Sequence, residues 1–309
     1  MATSLWGDPH PDHAREAFLA KPRGLVEKTM PLDEAVRTFV RDGDYLVGGG
    51  FSTNRIPASA LREIVRQRKQ HLRLAGYTTT HAFQILCAGN LTGRGKTVAS
   101  VDAAYIVGLE ARGLSPHARR VMQSGEVECV EWSNYTLALR FQAAAMGVPF
   151  LPVRSLMGTD TRAFNPSKEI TCPFTGIPLL AVPAVYPDVA IVHVHEADRF
   201  GNARFSGTSV ADIDITRSAK KLIVTCERLV DDEALRIEPH RNQIPFFCVD
   251  AVCHIPRGGW PGGMPGEYDA DEVELNAWLT AEADAKTFPE FVSNRIDAPA
   301  ITPRGALPS

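Results

Sequence analysis

The sequence predicts an open α/β fold in which a mainly parallel sheet is flanked by helices. Apolar runs of strand length alternate with amphipathic segments of helix length along most of the chain, which is the rhythm of βαβ units. Runs such as 188–194 and 247–253 are almost continuously apolar, as expected for parallel strands buried on both faces. A glycine-rich turn joins one strand to one helix within residues 45–68.

Length and charge limit the class of protein. The chain has 309 residues, 44% of them hydrophobic, enough for one large α/β domain or two modest ones. A net charge of −3 and a pI near 6.3 give no electrostatic reason to expect nucleic acid or an anionic membrane as partner. The six cysteines are scattered without a C-x-x-C motif, and residues 1–29 lack the apolar core of a secretory signal. No apolar run approaches the length of a membrane span, and we expect a cytoplasmic protein.

Periodicity places the elements of the first half of the chain. Pro31 suits a first helical position, and Leu32, Val36 and Val40 recur at helical spacing before a strand at 45–47. Pro57 marks the start of the next helix. The pattern then predicts strands at 72–76, 101–107 and 127–130, and helices at 82–88 and 116–123.

The second half begins with a helix that Ser133 or Asn134 can cap and that Gly147 ends. Periodicity fades from 153 to 178, which predicts a long irregular excursion over the domain edge. The pattern then predicts strands at 188–194, 221–226 and 247–253, and helices at 212–219 and 271–286. We therefore divide the chain into an N-terminal arm (1–29) that packs on a neighbour or stays mobile, an α/β domain (30–287) and a C-terminal tail (288–309).

The turn of Gly48, Gly49, Gly50, Phe51 and Ser52 is the first candidate site. Adjacent glycines let the backbone approach a ligand, and the helix start behind them presents free N–H groups and a positive dipole end. Such a turn attracts an oxyanion, namely a phosphate, a carboxylate or the charge that develops in acyl transfer. The turn lacks the spacing of a Rossmann fingerprint or a P-loop. A tight turn without a ligand explains the same residues.

Polar residues follow two other predicted strands. Glu131, Ser133 and Asn134 lie where a strand ends and a helix begins, which is the edge where α/β sheets bind ligands. Tyr77 and Thr78 follow a second strand and could supply hydroxyl groups to a substrate carboxylate. A helix cap and a threonine-rich turn are the structural alternatives.

Metal and nucleophilic chemistry have little support in the sequence. His193 and His195 alternate on one strand, so both imidazoles would share a face. A buried histidine followed by a polar strand exit explains them better than a metal site. G-x-S-x-G is absent, and no cysteine has a context that would activate it.

Several blocks resemble one family. Gly-Gly-Phe-Ser-Thr-Asn-Arg-Ile-Pro at 49–57 resembles the G-G-F-x-x-x-x-x-P loop of class I CoA-transferases, in the A (α) subunit of the glutaconate CoA-transferase type. Ala-Ala-Ala-Met-Gly-Val-Pro-Phe-Leu-Pro-Val at 143–153 is similar to another segment of that subunit. Later blocks follow in the same order at 188–193, 223–227, 244–245 and 248–252.

The resemblance implies an open α/β subunit that pairs with a homologous B subunit in a heterotetramer or larger assembly. In the family, a B-subunit glutamate attacks the acyl-CoA thioester, and CoA then passes to an acceptor carboxylic acid by a ping-pong route. That glutamate usually lies in an S-E-N-G or E-x-G context, which this chain lacks. The resemblance therefore implies no nucleophile and no permanently bound cofactor here, with coenzyme A entering as part of the substrate.

The implied role of this chain is to shape the acyl pocket. Backbone N–H groups at 48–52 would polarise the thioester carbonyl, and polar groups of Asn54, Tyr77, Thr78, Glu131, Ser133 and Asn134 would contact the substrate. His195 and an apparent insertion at 89–95 depart from the family pattern, which leaves the acyl group open.

Two alternatives remain. A steroid-degrading branch of the family opens rings by CoA-dependent C–C cleavage and would want an acid near Asn134, where Glu131 lies one helical turn earlier. A non-catalytic ligand-sensing module is the alternative from another class, since fold alone does not determine function.

Overall fold

The computed structural model describes residues 5–78, 80–91, 95–106 and 112–297. Within these ranges the main sheet has eight strands in the order β11-β10-β8-β1-β2-β3-β4, with β9 paired to β8. Every neighbouring pair along that order is parallel, and β9 alone runs antiparallel. The prediction of an open, mainly parallel sheet flanked by helices is confirmed.

The strands have the bounds β1 Tyr45–Gly48, β2 Leu72–Tyr77, β3 Val98–Ala104, β4 Glu128–Glu131, β5 Phe150–Val153, β6 Lys168–Thr171, β7 Pro178–Pro183, β8 Val189–Ala197, β9 Ala203–Arg204, β10 Lys221–Leu229 and β11 Ala251–His254. The helices are α1 Pro11–Leu19, α2 Leu32–Phe39, α3 Ala58–Arg66, α4 Thr80–Gly89, α5 Pro116–Gln123, α6 Asn134–Met146, α7 Asp212–Ser218, α8 Asp232–Ile237, α9 Glu272–Glu282 and α10 Phe288–Ile296.

Both faces of the main sheet are buried. Leu46 and Leu74 lie in one apolar cluster together with residues of α2 to α5, α9 and α10. Val47 and Ala75, their neighbours in sequence, lie in a second cluster with residues of α6 and α7. Because side chains alternate across a strand, a strand that is buried on both sides reads as a continuous apolar run. No helix in the described ranges is both long enough and apolar enough to cross a membrane.

The predicted irregular excursion at 153–178 is partly wrong. It contains β6, which pairs with β7, and β7 in turn pairs with β5 in a three-stranded antiparallel sheet. A short 3₁₀ helix, Asp160–Phe164, lies within the same stretch. β6 and β7 form a local hairpin, whereas β5 and β7 pair across the segment 154–177, so local periodicity does not reveal the β5–β7 contact.

Both chain ends are more structured than predicted. The arm contains α1, and Lys21 beyond it is buried in an ion pair with Asp250 at 2.8 Å. The tail contains α10, whose Phe288, Val292 and Ile296 are fully buried. The strand predicted at 247–253 is shorter, because Phe246–Cys248 form a 3₁₀ helix before β11. The division into arm, domain and tail stays a prediction, and residues 92–94 of the suggested insertion lie outside the described part.

Candidate functional site

The strand order creates a crevice between β1 and β8. From β1 the chain adds β2, β3 and β4 outward on one side, and later adds β8, β10 and β11 on the other. Open α/β sheets bind ligands outside the carboxyl ends of their strands at such a reversal of strand order. The segment that leaves β1 at this point is the predicted glycine-rich turn. We call residues 48–55 the first loop.

Hydrogen bonds to the rest of the chain hold the first loop. The N–H groups of Gly49 and Gly50 donate to Ile191 O and to Asp212 Oδ1, both at 2.8 Å. Those of Phe51 and Ser52 donate to Asn54 O at 3.0 Å and to Thr78 O at 2.7 Å. Since each of these N–H groups already has an acceptor, the geometry argues against their predicted role as oxyanion donors. Gly48 ends β1.

A buried ion pair between Arg55 and Asp212 anchors the first loop. Arg55 donates from Nη1 to Asp212 Oδ1 at 2.8 Å and from Nη2 to Oδ2 at 3.1 Å. Both side chains are 1% exposed, and the guanidinium lies over the ring of Phe205 at 4.4 Å. The Asp212 carboxylate therefore binds the loop at two places, through Gly50 N–H and through Arg55.

A second loop at 257–268 packs against the first. Gly263 N–H donates to Thr53 O, and Gly263 O accepts from Arg55 N–H, each at 2.9 Å. A Cβ atom at Gly262 would lie 2.1 Å from Thr53 O, so only glycine permits this approach. The two glycine-rich loops thus form one layer over the carboxyl edge of the sheet.

Tyr77 and Thr78 are brought directly to the first loop. The Tyr77 hydroxyl donates to Gly50 O at 3.0 Å, and burial raises the pKa of that phenol well above its ordinary value. Thr78 is 5% exposed, and its Oγ1 has no hydrogen-bond partner in the described chain. Buried polar atoms normally have partners, so this hydroxyl is available to a ligand or a water.

The residues after β4 lie two strands away from Thr78. Thr78 N–H and Trp132 N–H donate to Ala104 O and Ala103 O of the intervening strand β3, both at 2.9 Å. Ser133 caps α6 with a reciprocal capping box to Thr136, which confirms the predicted cap. The Oδ1 of Asn134 is buried and has no partner among the described residues. Glu131 ends β4 and is exposed.

Strained backbone concentrates along this edge. Ser52, Arg55, Thr78, Tyr105 and Arg257 have positive φ angles between 46° and 59°, although none is glycine. Each follows the end of β1, β2, β3 or β11. Such conformations cost on the order of 1–3 kcal/mol each and persist where the surrounding structure forces them, often at functional sites. Asn54, half-buried between Thr53 and Arg55, belongs to the same layer.

The two strand histidines have separate partners. His193 Nε2 donates to Glu227 at 2.7 Å, whereas His195 Nε2 donates to Pro265 O at 2.7 Å. Among the described residues, no group of three or more His, Cys, Asp or Glu side chains could hold a metal.

The sequence indicates a Gly/Pro-rich loop at 256–266, but sequence reasoning did not assign that loop, Asp212 or Glu227 to the site. The stretch Gly-Gly-Trp-Pro-Gly-Gly at 258–263 was a visible signal, but its contact with the first loop is not local.

A cavity of about 670 Å³ lies away from the β1–β8 crevice, between Phe18, Arg217 and Phe247.

Residues 29–254 match the coenzyme A transferase family. The chain belongs to this family. It is 31% identical to the A subunit of glutaconate CoA-transferase from Acidaminococcus fermentans, covering 86% of this chain and 87% of the relative. It is 35% identical to the A subunit of 3-oxoadipate CoA-transferase from Pseudomonas knackmussii, covering 88% and 94%. These matches confirm the resemblance to A subunits of the glutaconate type.

Other matches extend the comparison. An uncharacterized protein of Archaeoglobus fulgidus is 43% identical over 93% of this chain, which spans 64% of that relative's length. The crystal structure of Acidaminococcus fermentans glutaconate coenzyme A-transferase superposes with a TM-score of 0.82 at 30% identity, covering 87% of this chain and 88% of that one. The cholesterol ring-cleaving hydrolase IpdA subunit of Rhodococcus jostii is 28% identical, covering 86% and 91%.

Proposed function

We propose that this chain is the A-type subunit of a heteromeric CoA-transferase that moves CoA between an acyl-CoA and a carboxylic acid. The observation that carries the proposal is the similarity to the A subunits of two CoA-transferases over most of their length and of this chain. The site at the β1–β8 crevice is consistent with it. Positive φ angles in its loops and the unpartnered Thr78 Oγ1 and Asn134 Oδ1 are features that are often found at ligand sites.

The nucleophilic glutamate is proposed to lie on a B subunit. Among the described residues, three buried carboxylates near this edge are already engaged: Asp212 by Arg55 and Gly50, Glu227 by three donors, and Asp198 by the N–H groups of 200–202. A carboxylate held by several donors is a poor nucleophile for a thioester. On the partner, a glutamate would attack the thioester carbonyl and release CoA thiolate, leaving an acyl-glutamyl anhydride. The thiolate would then attack the glutamyl carbonyl and release the first acid.

The second half-reaction reverses these steps with the acceptor. Its carboxylate attacks the glutamyl-CoA thioester, and the released thiolate takes the new acyl group, which regenerates the glutamate. This chain would line the acyl pocket with the first loop and contact the substrate through the Thr78 hydroxyl, the Ser133 cap and the Asn134 amide. CoA enters and leaves as substrate, and the assembly is a heterotetramer or larger.

Partner dependence tests the division of labour. The purified chain should not transfer CoA, and it should gain the activity when it is co-purified with its B-type partner. Borohydride reduces a glutamyl-CoA thioester to a primary alcohol and releases CoA thiol, so a partner glutamate converted to its alcohol after incubation with acyl-CoA and borohydride would support the mechanism. Transfer by the isolated chain would refute it.

The pocket assignment has its own test. Thr78→Val should raise KM for the acyl-CoA by roughly fivefold, because one hydrogen bond is worth about 1 kcal/mol. Thr280→Val is the matched control, since Thr280 is an exposed residue of α9. Equal KM values in the two variants would show that the Thr78 hydroxyl does not contact the substrate.

A ring-opening hydrolase is the second candidate, and the similarity to the IpdA subunit favours it. A hydrolase would consume its acyl-CoA substrate without an acceptor acid. The assay of the co-purified complex should therefore be run with and without acceptor. Loss of acceptor-free turnover in Glu131→Gln would identify Glu131 as the acid this reaction needs.

A further inference from the structure

The carboxylate of Glu227 collects three hydrogen bonds near the carboxyl end of β10. Its Oε1 accepts from His193 Nε2 at 2.7 Å and from the Tyr268 hydroxyl at 2.6 Å. Its Oε2 accepts from Arg257 N–H at 2.6 Å. Burial opposes ionisation, but these hydrogen bonds outweigh it and hold the pKa of Glu227 below its ordinary value. The side chain is therefore a fixed anion with three donors.

One side of this anion is fixed to the centre of the sheet. Glu227 belongs to β10, and His193 belongs to the neighbouring strand β8. His193 is fully buried, and its Nδ1 lies 2.9 Å from Thr225 Oγ1. His193 and Thr225 face each other in the parallel register of the two strands. The carboxylate thus has a rigid base.

The other side holds both ends of the second loop. Arg257 and Tyr268 are its first and last residues, and the Arg257 guanidinium lies over the Tyr268 ring at 4.5 Å. Near its start the loop passes so close to the sheet that a Cβ on Gly258 would lie 2.8 Å from the His193 ring. Gly263, within the loop, makes the two backbone bonds to Thr53 and Arg55.

We infer that Glu227 is a positioning residue that fixes the second loop to the sheet and, through Gly263, holds the first loop in place at the β1–β8 crevice. The inference deepens the proposed function, because the first loop is the proposed wall of the acyl pocket. It assigns Glu227 no contact with substrate. Its carboxylate is occupied by three hydrogen bonds within the protein.

Hydrogen exchange of the full chain tests this role without CoA or a second subunit. In Glu227→Gln, an amide NH₂ group replaces one carboxylate oxygen. A donor then faces an N–H or O–H donor, and at least one of the hydrogen bonds is lost. Exchange at 257–268 and at 49–55 should each become about tenfold faster or more, since hydrogen bonds to charged groups set local opening. Exchange at 221–226 in β10 should stay within twofold of the wild type. Glu267→Gln, in the same loop but paired with Arg228 at the surface, is the control and should change neither loop.

Two outcomes would overturn the inference. One is faster exchange at 257–268 with no change at 49–55, which would uncouple the loops. The other is an equal increase throughout β10, which would make Glu227 a general core residue. If Glu227→Gln does not fold, Tyr268→Phe removes one of the three bonds and should give a smaller increase in both loops. Unchanged exchange at 49–55 in that variant would also overturn the inference. A negative result leaves the proposed transferase intact, because no activity enters the measurement.

Discussion

At the scale of single residues, Asp212 shows why sequence finds only part of the site. The sequence placed Gly48 to Ser52, Tyr77, Thr78, Ser133 and Asn134 at strand ends, and all of them lie there. Asp212 begins α7 and reads as an ordinary acidic residue in the first turn of a helix. Its pairing with Arg55 spans 157 positions of sequence, and no local pattern encodes such a contact.

Asp212→Asn should destabilise the fold strongly. The substitution leaves the Arg55 guanidinium buried and uncompensated, which costs about 3–5 kcal/mol in the free energy of unfolding. Urea unfolding measures the change. Asp33→Asn breaks an ion pair with Arg37 in which Asp33 is 54% exposed, and this control should cost about 1 kcal/mol or less. Similar losses in the two variants would contradict a buried anchor.

Gly50→Ala should cost more than Gly43→Ala. Both glycines have positive φ, 93° and 81°, so each substitution adds about 1–2 kcal/mol of backbone strain. A Cβ on Gly50 would also lie 2.5 Å from Asn54 O, whereas one on Gly43 meets nothing within 4 Å. The contact should add about 1–3 kcal/mol, measurable by thermal unfolding. Equal losses of stability in the two variants would mean that the first loop can shift to accommodate the added Cβ atom.

At the scale of elements, helices with local start and stop signals were predictable. α6 has its Ser133 cap and a left-handed Gly147 at its end, and both were read from the sequence. α10 was assigned to the tail, although Phe288, Val292 and Ile296 recur at a spacing of four, which is a helical signal. The β5-β7-β6 sheet was missed because β5 and β6 are only four residues long and the pairing of β5 with β7 spans the segment 154–177.

Phe288→Ala should show that α10 belongs to the core. The side chain is fully buried and packs against Trp278 at a centroid distance of 6.0 Å. Removing it should cost about 3–5 kcal/mol in the free energy of unfolding. Phe174, which is 94% exposed, supplies the control, and Phe174→Ala should change stability by less than about 0.5 kcal/mol. An unchanged free energy of unfolding in Phe288→Ala would show that α10 does not belong to the core.

At the scale of the whole molecule, the strand order decides where the site lies. Alternating strands and helices indicated a parallel sheet, but they did not say that β8 would join β1 on the side opposite β2. That choice creates the crevice and brings the first loop beside Asp212 and the second loop. It also places Glu227 of β10 beside His193 of β8. There, one carboxylate can accept hydrogen bonds both from the sheet and from the second loop.

The pH dependence of stability should report on Glu227. The pKa of its carboxyl lies below the ordinary 4.5, because hydrogen bonds outweigh the opposing effect of burial. The unfolded chain therefore takes up the proton more readily than the folded chain. The stabilising contribution is present above pH 4.5 and is lost as pH falls through the folded-state pKa. The stabilities of wild type and Glu227→Gln in urea unfolding should differ at pH 7 and converge once the pH has fallen from 4.5 through the folded-state pKa. A difference that does not depend on pH would show that ionisation is irrelevant.

The sequence by itself determined the α/β class, most strands and helices, and the family, because these depend on local periodicity, capping and collinear motifs. Only the tertiary structure decided how the first loop is held. Its N–H groups, predicted as oxyanion donors, are occupied by Ile191, Asp212, Asn54 and Thr78. Most of these partners are distant in sequence, and a backbone donor is free or occupied according to what the folded chain brings within about 3 Å of it.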